Sequence, residues 1–283
     1  MDSVEEVVRL LHVESVDVDR FRGKQPKGGA IRVFGGQAVA QALMSACRTV
    51  DHRLPHSLHA YFLRAGDVTV PMRYDVERIR DGRRFSVRRV VASQNRKEIL
   101  AATISFADRL PGIDYQDSPP VGASDPDSLM SIEQQLAPYA DEHDGWWVRK
   151  RPFDLRYVSD PPRIVLENGG TAEPSSSLYL RARGSVPSSP DLALGLLAYV
   201  SDMTLLDSAA KMTGQTSRGP GTIASLDHAI WFHRIPNLAE WILYEQHSPT
   251  GCGGRSLVQG RMYSAAGELL CTVAQEGLLD PRT

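Results

Sequence analysis

A shift of 170 positions lays the second half of this chain on the first without a gap. Phe62 falls on Phe232, Arg64 on Arg234, Tyr74 on Tyr244, Ser86 on Ser256, Glu98 on Glu268 and Leu100 on Leu270. Tyr61 opposite Trp231, Met72 opposite Ile242 and Asp75 opposite Glu245 are conservative. The same order of elements also recurs, which reads as a tandem duplication. Two copies of one plan, each exposing a sheet edge, pair their sheets edge to edge as a homodimer would.

The repeated plan is a buried helix followed by strands. Val4–Val13 has helical spacing, and Gly35 to Met44 reads as an apolar, Ala-rich helix entered through two glycines. Leu58–Leu63, Met72–Ile79, Phe85–Ser93 and Ile99–Phe106 are β-prone runs between turn residues. In the second unit Leu155–Val158 and Leu178–Arg183 are strand-like. Ser189-Pro190 then caps and starts a helix running through Leu192–Ala210. Strands over Ile223–Phe232, Trp241–Gln246, Ser256–Tyr263 and Glu268–Leu278 follow. A helix against one curved antiparallel sheet is an α+β layout. The units are 1–109 and 151–283, joined by a linker over 110–150 that is rich in Pro, Gly, Ser and Asp. Within it Ser131–Tyr139 reads as a short helix, and Trp146-Trp147 folds back on one of the units.

A length of 283 residues suits two such units. Lys plus Arg is 32 and Asp plus Glu is 34, a net charge of −2 that exerts no general pull toward nucleic acid or an anionic membrane. The longest apolar run, Leu192 to Val200, is about half a membrane span. The opening MDSVEEVVRLL lacks a basic signal-peptide start, and the final Asp-Pro-Arg-Thr is no peroxisomal address. Cys47, Cys252 and Cys271 are odd in number and widely spaced, as expected of reduced thiols in a cytoplasmic protein.

Three polar residues stand out by periodicity. Asp202 follows Leu194 and Ala198 at i+4 spacing, so it falls on an apolar helix stripe, where a carboxylate must be hydrogen-bonded or protonated. Ser225 alternates with Ile223, Asp227, Ala229 and Trp231, and Gln275 ends a row of Leu269, Cys271 and Val273. Ser225, His228 and Asp202 are residue types of a nucleophilic triad. No G-x-S-x-G elbow is present, however, and strand alternation puts Ser225 and His228 on opposite faces. His52, His56 and His59 read as strand or surface histidines, since Pro55 argues against a helix that would align them on a metal. Gly35-Gly36 at a helix start offers N–H groups to an oxyanion or phosphate. No Walker A, G-x-G-x-x-G or paired C-x-x-C appears, and no cofactor is expected.

The segments Val33-Phe34-Gly35-Gly36-Gln37, His59 to Asp67, Asp81-Gly82-Arg83, Phe85-Ser86 and Arg88-Arg89-Val90 resemble the type II (TesB-like) acyl-CoA thioesterases. So do Tyr199 to Asp202, Asp227 to Arg234 and Gln275-Glu276-Gly277. The resemblance runs from about Leu10 to Leu278. It implies a double hotdog fold, in which two long helices are each wrapped by a sheet and the sheets join side by side. It also implies a homo-oligomer, a dimer or tetramer of double hotdogs, that hydrolyses fatty acyl-CoA. The family's catalytic set carries over to Asp202, Ser225 and Gln275, with threonine usual where this chain has Ser225. Water held by these three would attack the thioester, with no metal and no acyl-enzyme, while N–H groups near Gly36 receive the oxyanion. The family also makes His56 a substrate-site candidate, and Asp207–Gly219 looks diverged. A non-catalytic acyl-CoA binder is the alternative. A hydratase would need an Asp/His loop motif that the chain lacks.

Overall fold

The computed structural model describes residues 1–26, 32–109, 111–120, 125–169, 171–219 and 221–280. Leu110 and residues 121–124 of the expected linker lie outside them. In chain order come α1 (Val4–Leu11), β1 (Glu14–Asp17), β2 (Arg20–Gly23), α2 (Gly35–Cys47), β3 (Leu54–Phe62), β4 (Met72–Asp81), β5 (Phe85–Gln94) and β6 (Lys97–Ala107). After α3 (Ile132–Gln135) come β7 (Phe153–Tyr157), α4 (Pro162–Glu167), β8 (Ser175–Ala182), α5 (Pro190–Ser201) and α6 (Asp207–Thr213). The chain closes with β9 (Thr222–Ser225), β10 (Asp227–Phe232), β11 (Ile242–Cys252), β12 (Arg255–Tyr263) and β13 (Leu269–Asp280).

Every strand pairs antiparallel, in the order β1-β2-β4-β5-β6-β3-β10-β13-β12-β11-β8-β7, with β9 also on β13. The second half of that order repeats the first in reverse, so a pseudo-twofold axis passes between β3 and β10. There Asp227 pairs with Tyr61 and Trp231 with Ser57. This is the double hotdog: one continuous sheet, with α2 and α5 packed together against its inner face. Gly36 permits that approach, since a Cβ there would lie 2.4 Å from the carbonyl oxygen of Tyr199 on α5. Most of α2 is buried, including Gln41, whose amide donates to the Leu10 carbonyl (2.7 Å) and accepts from the Tyr74 hydroxyl (2.8 Å).

Besides the unanticipated α4 and the break of the expected Ile223–Phe232 strand into β9 and β10, four details differ from the sequence reading. The N-terminal pair β1–β2, which extends the sheet beyond β4, was not anticipated. On β13 the repeat offset becomes 171, because Val90 pairs with Ala102 whereas its counterpart Gly260 pairs with Val273. The matches of Glu98 with Glu268 and Leu100 with Leu270 are therefore not structural equivalences. The long second helix stops at Ser201 instead of continuing to Ala210. The Tyr244 hydroxyl donates to the Ser201 carbonyl (2.7 Å), satisfying one of the acceptors a helix end leaves open. Beyond the turn, the Gln246 amide donates to Thr204 Oγ1 (2.8 Å), and α6 begins on a new axis. The fourth detail concerns Ser131–Tyr139, where α3 stops at Gln135 and a 3-10 turn follows. Trp147 is buried, as expected of a tryptophan pair that folds back, and its indole N–H donates to Glu142 (2.8 Å).

Candidate active site

Asp202, Ser225 and Gln275 converge. The Gln275 amide donates to Ser225 Oγ (2.7 Å), and the Ser225 hydroxyl donates to Asp202 Oδ1 (3.4 Å). Asp202 caps the C-terminal end of α5, just outside the helix on whose stripe it was expected, and its side chain is 4% exposed. It also accepts from the Gln275 amide and from the Gly36 backbone N–H. Gly35 closes the contact, because a Cβ there would stand 2.7 Å from Asp202 Oδ2. The two glycines thus bring the N-terminus of α2 onto the carboxylate, and the Gly36 N–H is engaged by Asp202 rather than left open.

A fourth residue belongs to the cluster. His228 is fully buried, with Nδ1 2.5 Å from Gln275 Oε1, Nε2 2.9 Å from Ser201 Oγ, and Nδ1 4.0 Å from Asp202 Oδ1. Simple alternation had put it on the face opposite Ser225. The chain has a bulge at Leu226: Ser225 is registered on Gly277, but Ala229 on Ala274, one residue out of step. One inserted residue reverses the facing of everything after it, so both side chains point inward. Because Gln275 Oε1 can only accept, the 2.5 Å contact requires a proton on His228 Nδ1. That bond orients the amide with its N–H groups toward Ser225 and Asp202, so every donor in the chain of bonds points at the carboxylate. Ser201, His228 and Asp202 have the residue types of a triad, but Ser201 is buried on α5, and the short Nδ1 contact is to Gln275.

Burial is the largest influence on Asp202 and raises its pKa. The neighbouring His228, then the bonds from Gln275, Gly36 and Ser225, oppose that rise without cancelling it. Such a carboxyl holds its proton to a higher pH than an exposed one and, once ionised, accepts a proton more readily.

The first unit carries no such cluster among the described residues. Pro55, Leu58 and Ile104, all buried, occupy the places of Ser225, His228 and Gln275. His56 sits four residues along β3 from Ala60, which pairs with His228, and so stands more than about 10 Å along the strand from the cluster. Its Nε2 meets Ser105 Oγ (2.8 Å). His59 lies edge-on to Trp231, and among the described residues no group of three or more His, Cys, Asp or Glu is arranged for a metal.

The chain is thus a double hotdog with one buried Asp–Ser–Gln cluster at the junction of its two helices, and comparisons with known proteins give its family. The family model for the acyl-CoA thioesterase N-terminal domain matches residues 23–107, and that for acyl-CoA thioesterase matches 148–278. The chain belongs to the acyl-CoA thioesterase family. It is 35% identical to acyl-CoA thioesterase 2 of Haemophilus influenzae over 98% of both chains. Among solved structures, the tesB protein of Mycobacterium avium subsp. paratuberculosis is 34% identical with a TM-score of 0.82, covering 99% of this chain and 100% of that one. A hot dog fold protein from Alicyclobacillus acidocaldarius is 16% identical with a TM-score of 0.78, over 97% and 98% of the two chains, and shares the fold.

Proposed function

We propose that the protein hydrolyses fatty acyl-CoA to free fatty acid and CoA at the Asp202–Ser225–Gln275 cluster. The observation that carries the reading is the convergence of all three polar groups on one buried spot, with their donors aligned on Asp202. Water held by Ser225 and Gln275 attacks the thioester carbonyl carbon, and its proton passes to Asp202. The oxyanion is received at the first turn of α2, where helix N–H groups have no partner within the helix and the helix dipole favours negative charge. Collapse of the intermediate breaks the C–S bond, and Asp202 returns the proton to the departing CoA thiolate. Gly35 and Gly36 act by presenting that turn. His56 is assigned no part in the hydrolysis.

The catalytic unit in this reading is 151–283, joined through 110–150 to a unit over 1–109 that lends the α2 terminus. The protein works in the cytoplasm, consistent with three free cysteines, as a homo-oligomer. The exposed Tyr61 and Trp231 on the outer face of the seam support assembly. The test is release of free CoA, read with a thiol-reactive dye, from acyl-CoAs of two to eighteen carbons. Turnover of at least part of the series is expected. Binding without release at any length would make the chain a non-catalytic acyl-CoA binder.

A further inference from the structure

We propose that Arg32, Arg149 and Arg218 form the anion site that holds the phosphates of CoA, an assignment that rests on the acyl-CoA reading above. The Arg218 guanidinium lies over the Trp146 ring, 3.8 Å from its centre, and the Arg149 guanidinium is 5.8 Å from the same centre. Arg32 donates to the backbone carbonyl of Ile223 (3.2 Å), two residues before Ser225 on β9. Arg218 stands in the turn that leads from α6 into β9, and both Arg149 and Arg32 are close enough to act on its charge.

Three features point to an anionic ligand. Among the described residues none of the three arginines pairs with a carboxylate, unlike Arg156 and Arg183, which pair with Asp154. Like charges brought together without counter-charge repel, and Arg218 shows it: burial first, then Arg149 and Arg32, lower its pKa. Planar guanidiniums stacked on an indole are held in place yet keep their N–H edges free, which is the geometry that grips phosphate oxygens. The site borders β9 near Ser225 without entering the buried cluster, and in acyl-CoA the pantetheine arm joins the phosphates to the thioester. The linker supplies Trp146 and Arg149, the segment before α2 supplies Arg32, and the segment after α6 supplies Arg218. Three stretches distant in sequence therefore meet beside β9.

The test uses the full chain and two probes. Binding of CoA and of unphosphorylated pantetheine is measured by calorimetry, and hydrolysis is followed with an acyl-CoA and with the matching acyl-pantetheine. Arg32→Gln/Arg149→Gln removes two exposed charges without touching the core, and Arg218→Gln and Arg218→Lys complete the set. Each lost guanidinium should weaken CoA binding and raise KM for acyl-CoA about tenfold, with kcat little altered. Acyl-pantetheine should be hydrolysed as before, and the fall of acyl-CoA kcat/KM with added salt should flatten. Arg218→Lys should recover part of the loss. Unchanged CoA affinity in the double variant, or equal losses on acyl-pantetheine, would overturn the site. If the wild-type chain binds CoA through these arginines but releases no thiol, the anion site stands and the hydrolase reading fails.

Discussion

Asp202 lies between two helix termini that act on its charge in opposite senses. The N-terminus of α2 stabilises the carboxylate, while the C-terminus of α5, which it caps, opposes it. Burial decides the balance and raises its pKa above the ordinary 3.8. A base works only when deprotonated, so kcat should climb with pH through a limb placed above that value. A limb near 4 would show that Asp202 titrates as an exposed carboxyl does. Asp202→Asn preserves shape and loses the base, so kcat should fall roughly 10²–10⁴-fold with KM little changed. Ser225→Thr keeps the hydroxyl and should retain activity in the same assay, whereas Ser225→Ala should lose part of it. His228 offers a sharper contrast. Leu58 fills its place in the first unit, so His228→Leu should fold, yet it frees the Gln275 amide to turn over. His228→Asn can still donate from near the Nδ1 position and should retain more kcat than His228→Leu. Equal rates for the two variants would mean that the Nδ1 bond does not orient Gln275. The sequence reading noticed this residue but faced it away from Ser225, because a bulge leaves no compositional mark at Leu226. Asp202 and Gln275 were legible because a polar residue in an apolar row shows without knowledge of the register, whereas the row read for Ser225, with Asp227, Ala229 and Trp231, turns to the other face beyond the bulge.

The element that most separates the two units is α6, which fills the long connection between α5 and β9 and has no counterpart between α2 and β3. Its first residue, Asp207, is half-buried and accepts from the Tyr157 hydroxyl (2.5 Å). Burial pushes its pKa up to about 6, with Tyr157, Lys211 and Arg151 opposing. A carboxyl whose folded pKa exceeds its unfolded one favours the native state while protonated. Stability is therefore lost as pH rises from about 4 to about 6, by on the order of 3 kcal/mol. Asp207→Asn keeps an acceptor for Tyr157 and should remove this dependence. Melting curves should coincide near pH 4 and diverge toward pH 7, with the variant the more stable; parallel curves would contradict the assignment. Leu206, just before α6, lies against Gly277, where a Cβ would stand 2.6 Å from its side chain. Periodicity recognised the helix and the strands here because both bury one face, but it ran α5 into α6. The break carries no Gly or Pro and is set by Tyr244 and Gln246, some forty residues away.

At the scale of the whole molecule, the seam between β3 and β10 makes two units into one sheet, and α2 supplies the second unit's site with its first turn. The units should therefore unfold together, and calorimetry should record one transition; two separated transitions would show that each unit holds its structure alone. The duplication was legible because strands β3 to β5 and β10 to β12 keep the 170-residue spacing. The one-residue slip of β13 was not, because a lengthened hairpin alters facing and not composition. The central claim is that water, not a side chain, attacks the thioester at this junction. Its most direct measurement is intact-protein mass spectrometry on enzyme quenched during turnover of a long-chain acyl-CoA. The account predicts the unmodified mass throughout, while free CoA accumulates. An added acyl mass mapped to Ser225, Ser201 or Asp202 would contradict it and establish a covalent intermediate.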